Sequence, residues 1–150
     1  MRHLCLPYPI RITLWFLLFL GLLYGATERM VFHPPQPPWY QPNDSNIVNI
    51  GPLKALWLSH PQAKSTILYS HGHATDIGYD NYYMQALHKM GYNVLGYDYR
   101  GYGHSRGIAS EKHCYQDSEA AFNYLTHTLK IPENRIILYG HSLGSALAIR

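Results

Sequence analysis

The sequence predicts an α/β fold: a mostly parallel sheet with helices on both faces, set behind an N-terminal membrane helix. Three observations predict it. Apolar, β-rich runs alternate with helix-period segments from Ile47 onward. The turn Gly140-His141-Ser142-Leu143-Gly144 joins the last such run to a helix of small residues. An uncharged run followed by a proline-rich stretch stands ahead of both. The chain has 150 residues, 47% apolar and 14% charged, which suits one domain or part of one and excludes a disordered tail. A net charge of +3 with no Lys/Arg run gives no expectation of nucleic-acid binding.

Residues 1–11 form a basic tail containing Arg2, His3 and Arg11. Residues 12–26 (ITLWFLLFLGLLYGA) carry no charge. Fifteen residues are fewer than the roughly 20 of an ideal span, but a signal-peptide cleavage after Ala26 would put Tyr24 where a small residue belongs. An uncleaved anchor is therefore expected, with a cleaved signal as the alternative. The basic residues before it predict a cytoplasmic N-terminus and a domain on the opposite side. Cys5 and Cys114 flank this segment, so no internal disulfide is expected. Residues 27–46 are read as a linker, with packing on the domain left open and a proline-recognition ligand as the alternative. Five prolines within residues 33–46 favour polyproline II structure, a semi-rigid spacer of about 3 Å per residue.

Residues 47–150 are read as the domain. Leu53 to Ser59 reads as a strand, with NIVNI as its partner. STILYS, ending on His71-Gly72, is the next strand, and Tyr79 to Met90 is a helix closed by Gly91. YNVLGYDY reads as a buried strand running into a glycine-rich loop, residues 100–107. Helical spacing over residues 115–130 ends at Pro132, and RIILYG is the last strand before a helix beginning at Leu143. In such sheets ligands bind beyond the C-terminal strand ends, where both His71-Gly72 and Ser142 fall. The tyrosines of residues 79–83 are expected to pack the helix.

A G-x-S-x-G turn between strand and helix is the setting of a nucleophilic serine. Ser142 is expected at the turn tip with positive φ, and Gly140 and Gly144 are expected where strand and helix approach too closely for a Cβ. The Leu143 amide, at the start of the helix, is a candidate oxyanion donor. The loop YSHGHATDIG offers a second, the backbone N–H of His73. His71 and His73 without cysteines or a carboxylate pair are poor evidence for zinc, so no metal and no cofactor are expected. In YDYRGYGHSRG the glycine spacing matches neither a phosphate loop nor a dinucleotide fingerprint. It reads as a structural turn fixed by Asp98 and Arg100.

Together these motifs resemble the α/β-hydrolase superfamily, and most closely its membrane-anchored branch of bud-emergence-like and abhydrolase-domain depalmitoylase-like proteins. That branch carries H-G-N-A-x-D-x-G, D-Y-R-G-Y-G-x-S-x-G and G-x-S-L-G-S. This chain has matching runs at residues 71–78, 98–107 and 140–145, with His73 in place of Asn. The resemblance covers about residues 28–150. It implies a serine hydrolase that takes a small-molecule or acylated substrate and cleaves a carboxylic ester, thioester or amide through an acyl-enzyme on Ser142. Similar proteins are classed as serine aminopeptidases, which leaves the leaving group open.

In this superfamily the acid and the histidine follow the serine, yet no Asp, Glu or His follows Ser142 in this sequence. Asp76 and Asp98 lie on earlier loops and His141 is locked into the elbow; His71 or His104 as a rearranged base is the minor alternative, disfavoured because no upstream acid is evidently poised to orient either. The expectation is an N-terminal hydrolase fragment that is inactive or crippled as it stands, with RIILYG an exposed, aggregation-prone edge. The alternative is a non-catalytic remnant or a membrane-anchored binding module.

Overall fold

The structure, a computed structural model, describes residues 7–41 and 45–149. Arg2, His3, Cys5 and Arg150 lie outside the described residues. Two compact units divide between Val31 and Phe32.

The first unit contains one helix, α1 (Tyr8–Val31). Its 24 residues extend beyond the fifteen-residue apolar run at both ends, and it is long and apolar enough to cross a membrane. None of its residues is buried within the protein. The Thr13 hydroxyl donates back to the Pro9 carbonyl (3.0 Å) and that of Thr27 to the Tyr24 carbonyl (2.8 Å). Both polar groups are thus satisfied inside the helix, as an apolar surrounding requires.

The second unit is built on five strands: β1 (Ile47–Ile50), β2 (Leu53–Leu58), β3 (Thr66–Ser70), β4 (Asn93–Tyr97) and β5 (Ile136–Gly140). Their spatial order is β1-β2-β4-β3-β5. The β4-β3-β5 part is parallel, whereas β2 pairs antiparallel with both β1 and β4. The described sheet is therefore mixed. Gly51, at φ +59°, makes the tight turn that folds β1 and β2 into a hairpin.

Strand alternation sends side chains to two cores. Leu53, Ala55, Leu68, Leu95 and Tyr97 meet Cys114, Ala121 and Leu125 from the α3 (Glu111–Asn123) region and Leu147 of α4 (Leu143–Ala148). Leu56, Leu58, Ile67, Tyr69 and Val94 meet Ile77 and Met84, the latter on α2 (Asn81–Lys89). Met84 sits so tightly on Gly96 that a Cβ there would overlap its sulfur. Helices thus cover both faces, as the alternating sequence pattern requires.

Some boundaries differ from the sequence expectation. The α2 helix begins at Asn81 because Asp76 first holds a turn, accepting from the Tyr79 N–H at 2.9 Å. Tyr79, Tyr82 and Tyr83 are exposed rather than packed, since Met84 and Leu87 supply the buried face. The α3 helix starts at Glu111, where the Ser110 hydroxyl accepts from the His113 N–H, and it continues as a π-helical turn over Tyr124–Thr128. Cys114 is buried among apolar groups, and this burial pushes its thiol up to about 12.

Candidate active site

The two strand ends named by the motifs lie side by side. Strand β3 pairs with β5 so that Ser70 faces Gly140, and the ladder continues with the His141 N–H donating to the Ser70 carbonyl at 3.0 Å. Immediately beyond, Ser142 adopts φ +53° and ψ −116°, a conformation a side chain tolerates only under constraint. The constraint is visible in the bonds around it. The Gly144 N–H donates to the His141 carbonyl and the Ser145 N–H to the Ser142 carbonyl, both at 2.9 Å, and the Ser145 hydroxyl returns to the Gly140 carbonyl at 3.0 Å.

Both flanking glycines are required sterically. A Cβ on Gly140 would lie 2.2 Å from the Gly144 carbonyl oxygen, and one on Gly144 would lie 2.0 Å from that of Ser70. Gly72 approaches from the other loop: a Cβ there would lie 3.3 Å from His141 Nδ1 and 3.6 Å from Ser142 Cβ. The Ser142 side chain is therefore presented beside the His71-Gly72-His73 turn. His73 is exposed, and among the described residues neither its N–H nor that of Leu143 donates a hydrogen bond.

Beneath this surface lies a buried polar layer. His71 and Asp98 are both fully buried. The His71 Nδ1–H donates to the Gly72 carbonyl at 2.7 Å, while Nε2 faces Asp98 Oδ1 at 3.4 Å. That distance is within reach of an ion pair, yet Nε2 makes no hydrogen bond among the described residues. Burial decides between the forms: it pushes His71 down to about 4 and Asp98 up to about 7. Both shifts favour the uncharged forms, a neutral imidazole facing a protonated carboxyl. Asp98 also accepts from the Ile77 N–H (2.9 Å) and the Tyr40 hydroxyl (2.5 Å). Asp76 accepts from the Trp39 N–H at 2.8 Å.

Sequence reasoning paired Asp98 and Arg100 as the fixings of the glycine-rich loop, and the structure gives them different partners. Arg100 binds Asp117 of α3 through its backbone N–H (2.8 Å) and its Nε (2.7 Å), and reaches Gln116 Oε1 at 2.8 Å. Asp117 lay in a helix with no motif to mark it. Asp80 was also missed. It is buried, accepts from the Tyr69 hydroxyl at 3.1 Å, and burial raises its pKa.

The upstream histidines are committed elsewhere. His71 points inward to Asp98, and His104 binds the Tyr40 carbonyl through Nε2 at 2.9 Å. His71 is buried and His73 exposed, and among the described residues no group of three or more His, Cys, Asp or Glu is arranged to hold a metal. Ser142 Oγ has no hydrogen-bond partner among the described residues.

A serine at positive φ between a parallel strand and a helix, wedged by two obligatory glycines, defines an α/β-hydrolase fold and elbow. The family model described as serine aminopeptidase S33 matches residues 61–150, and the chain belongs to that family. It is 41% identical over 90 residues to the alpha/beta hydrolase domain-containing protein aho-3 of Caenorhabditis elegans, covering 59% of this chain and 27% of that protein. It is 39% identical over 90 residues to the human alpha/beta hydrolase domain-containing protein 17B, covering 59% and 31%. The chain thus matches less than a third of the length of these relatives. Among solved structures, an esterase of Pyrococcus furiosus aligns with TM-score 0.66 at 26% identity, over 78% of this chain and 51% of that one. An alpha-beta hydrolase of Vibrio vulnificus aligns with TM-score 0.55 at 28% identity, over 65% and 38%.

Proposed function

We propose that the chain carries the nucleophile half of a membrane-anchored serine hydrolase. The observation that carries this reading is the backbone of Ser142, at φ +53° between two glycines that admit no Cβ. In the reaction, Ser142 Oγ attacks the carbonyl carbon of an ester, thioester or amide. The oxyanion is held by the His73 and Leu143 amides, which donate to nothing else among the described residues. Collapse expels the alcohol, thiol or amine with a proton, and water then releases the acid from Ser142. His73 in place of Asn spares the assigned donor, because that donor is a backbone group.

No general base or orienting acid is assigned among the described residues. Without them, residual catalysis falls by a factor on the order of 10⁴ to 10⁶. The chain alone is accordingly read as crippled or inactive. The α1 helix is read as the anchor, with a cytoplasmic N-terminus and the domain on the opposite side.

Turnover of p-nitrophenyl acyl esters, acyl thioesters and aminoacyl anilides by purified chain and Ser142→Ala tests the reading. Slow turnover of one class that Ser142→Ala abolishes is expected. Turnover unchanged in Ser142→Ala would overturn the nucleophile assignment.

A further inference from the structure

Residues 39–40, within the proline-rich stretch, are packed on the domain. They lie between the loops that follow β3 and β4. On one side the Trp39 N–H donates to Asp76 Oδ2 at 2.8 Å, and the Trp39 ring meets Tyr79 edge-on with centroids 5.3 Å apart. On the other, the Tyr40 carbonyl binds His104 Nε2 at 2.9 Å, and the Tyr40 hydroxyl accepts from the His104 N–H at 3.2 Å. That same hydroxyl donates to Asp98 Oδ2, and Asp98 Oδ1 holds the Ile77 N–H. A chain of hydrogen bonds therefore runs from Tyr40 through Asp98 to the middle of the His71-to-Asp80 loop.

Two motif glycines make room for this strap. A Cβ on Gly78 would lie 2.7 Å from the Trp39 carbonyl carbon and 2.8 Å from Tyr40 Cβ. One on Gly103 would overlap the Asp98 carboxylate and lie 3.0 Å from Tyr40 Cε1. Gly78 does not have the positive φ that would demand glycine on backbone grounds, so its small size answers to the strap.

We propose that Tyr40 is a positioning residue of the Ser142 site, holding residues 71–80 through Asp98 and thereby fixing where the His73 amide points. The consequence for reactivity rests on the hydrolase reading above. The positioning itself is measurable without turnover.

Hydrogen–deuterium exchange on the full chain in detergent micelles, comparing wild type with Tyr40→Phe, tests it. Exchange at Ile77 and its loop neighbours is expected to rise about tenfold or more, with β3 and β4 amides unchanged. Gly78→Ala, which displaces the strap from the other side, is expected to give the same pattern and decides the matter should Tyr40→Phe fail to fold. Unchanged exchange at Ile77 would overturn the proposal. So would a uniform rise across β3, β4 and the loop, because the hydroxyl would then support the whole fold rather than this loop. A fluorophosphonate arm separates the two readings: label that Ser142→Ala fails to remove counts against the nucleophile, whereas wild type labelled at Ser142 with an unaffected Ile77 amide counts against the role of Tyr40.

Discussion

At the scale of single residues, the elbow stores strain that substitution should release. Ser142→Gly removes the Cβ from a conformation that disfavours it, so it is expected to stabilise the domain by about 1 kcal/mol in denaturant titration. Gly144→Ala should do the opposite, costing about 3 kcal/mol, because its Cβ would meet the Ser70 carbonyl oxygen at 2.0 Å. Destabilisation by Ser142→Gly would contradict the strained turn. The buried pair below makes a pH prediction. Asp98, raised from 3.8 to about 7, binds a proton more tightly when folded and lowers stability as pH rises through that window. His71, lowered from 6.5 to about 4, does the reverse between those values. The two nearly cancel in the wild type. His71→Leu leaves Asp98 uncompensated, so the stability gap between variant and wild type should widen by a few kcal/mol from about pH 4 to about pH 7. A constant gap across urea melts in that range would contradict the pairing.

At the scale of elements, the strands were legible because each is a compact apolar run bounded by turn residues. The glycines at 140 and 144 could be assigned their steric task from spacing alone, and the contacts agree with it. The links between distant segments were not legible. Nothing local marks Asp117 as the partner of Arg100, and nothing in a proline-rich run announces that Tyr40 will bond a residue 58 positions away. Sheet direction was only partly legible, since the mixed pairing of β2 depends on the turn at Gly51 and on β2 pairing with β4 rather than β3. Strand β5 pairs only with β3 among the described strands and leaves Ile137, Leu138 and Tyr139 about 43–46% exposed. An apolar edge of this kind recruits other strands. Leu138→Lys is therefore expected to reduce light scattering of the purified chain at least severalfold while leaving its melting temperature within a few degrees. Equal scattering would show that β5 is not the sticky element.

At the scale of the whole molecule, two findings agree on a hydrolase of this superfamily: a family match over residues 61–150 and a solved esterase that aligns over 78% of the chain. The part of the chain that matches corresponds to about 27–31% of these relatives' length, and it includes the Ser142 elbow with its immediate scaffold. The order of the three motifs made this legible early, because each motif encodes a turn at a strand end and parallel pairing brings those ends together. Which partners complete the site was not legible, because the residues following Ser142 carry no acid or histidine. The account turns on Ser142 being a nucleophile held ready by its backbone. The most direct test is to incubate the chain with a fluorophosphonate and locate the adduct by peptide mass spectrometry. The account predicts slow, stoichiometric modification confined to Ser142 and absent from Ser142→Ala. Modification at other serines or tyrosines, at a rate Ser142→Ala leaves unchanged, would contradict it.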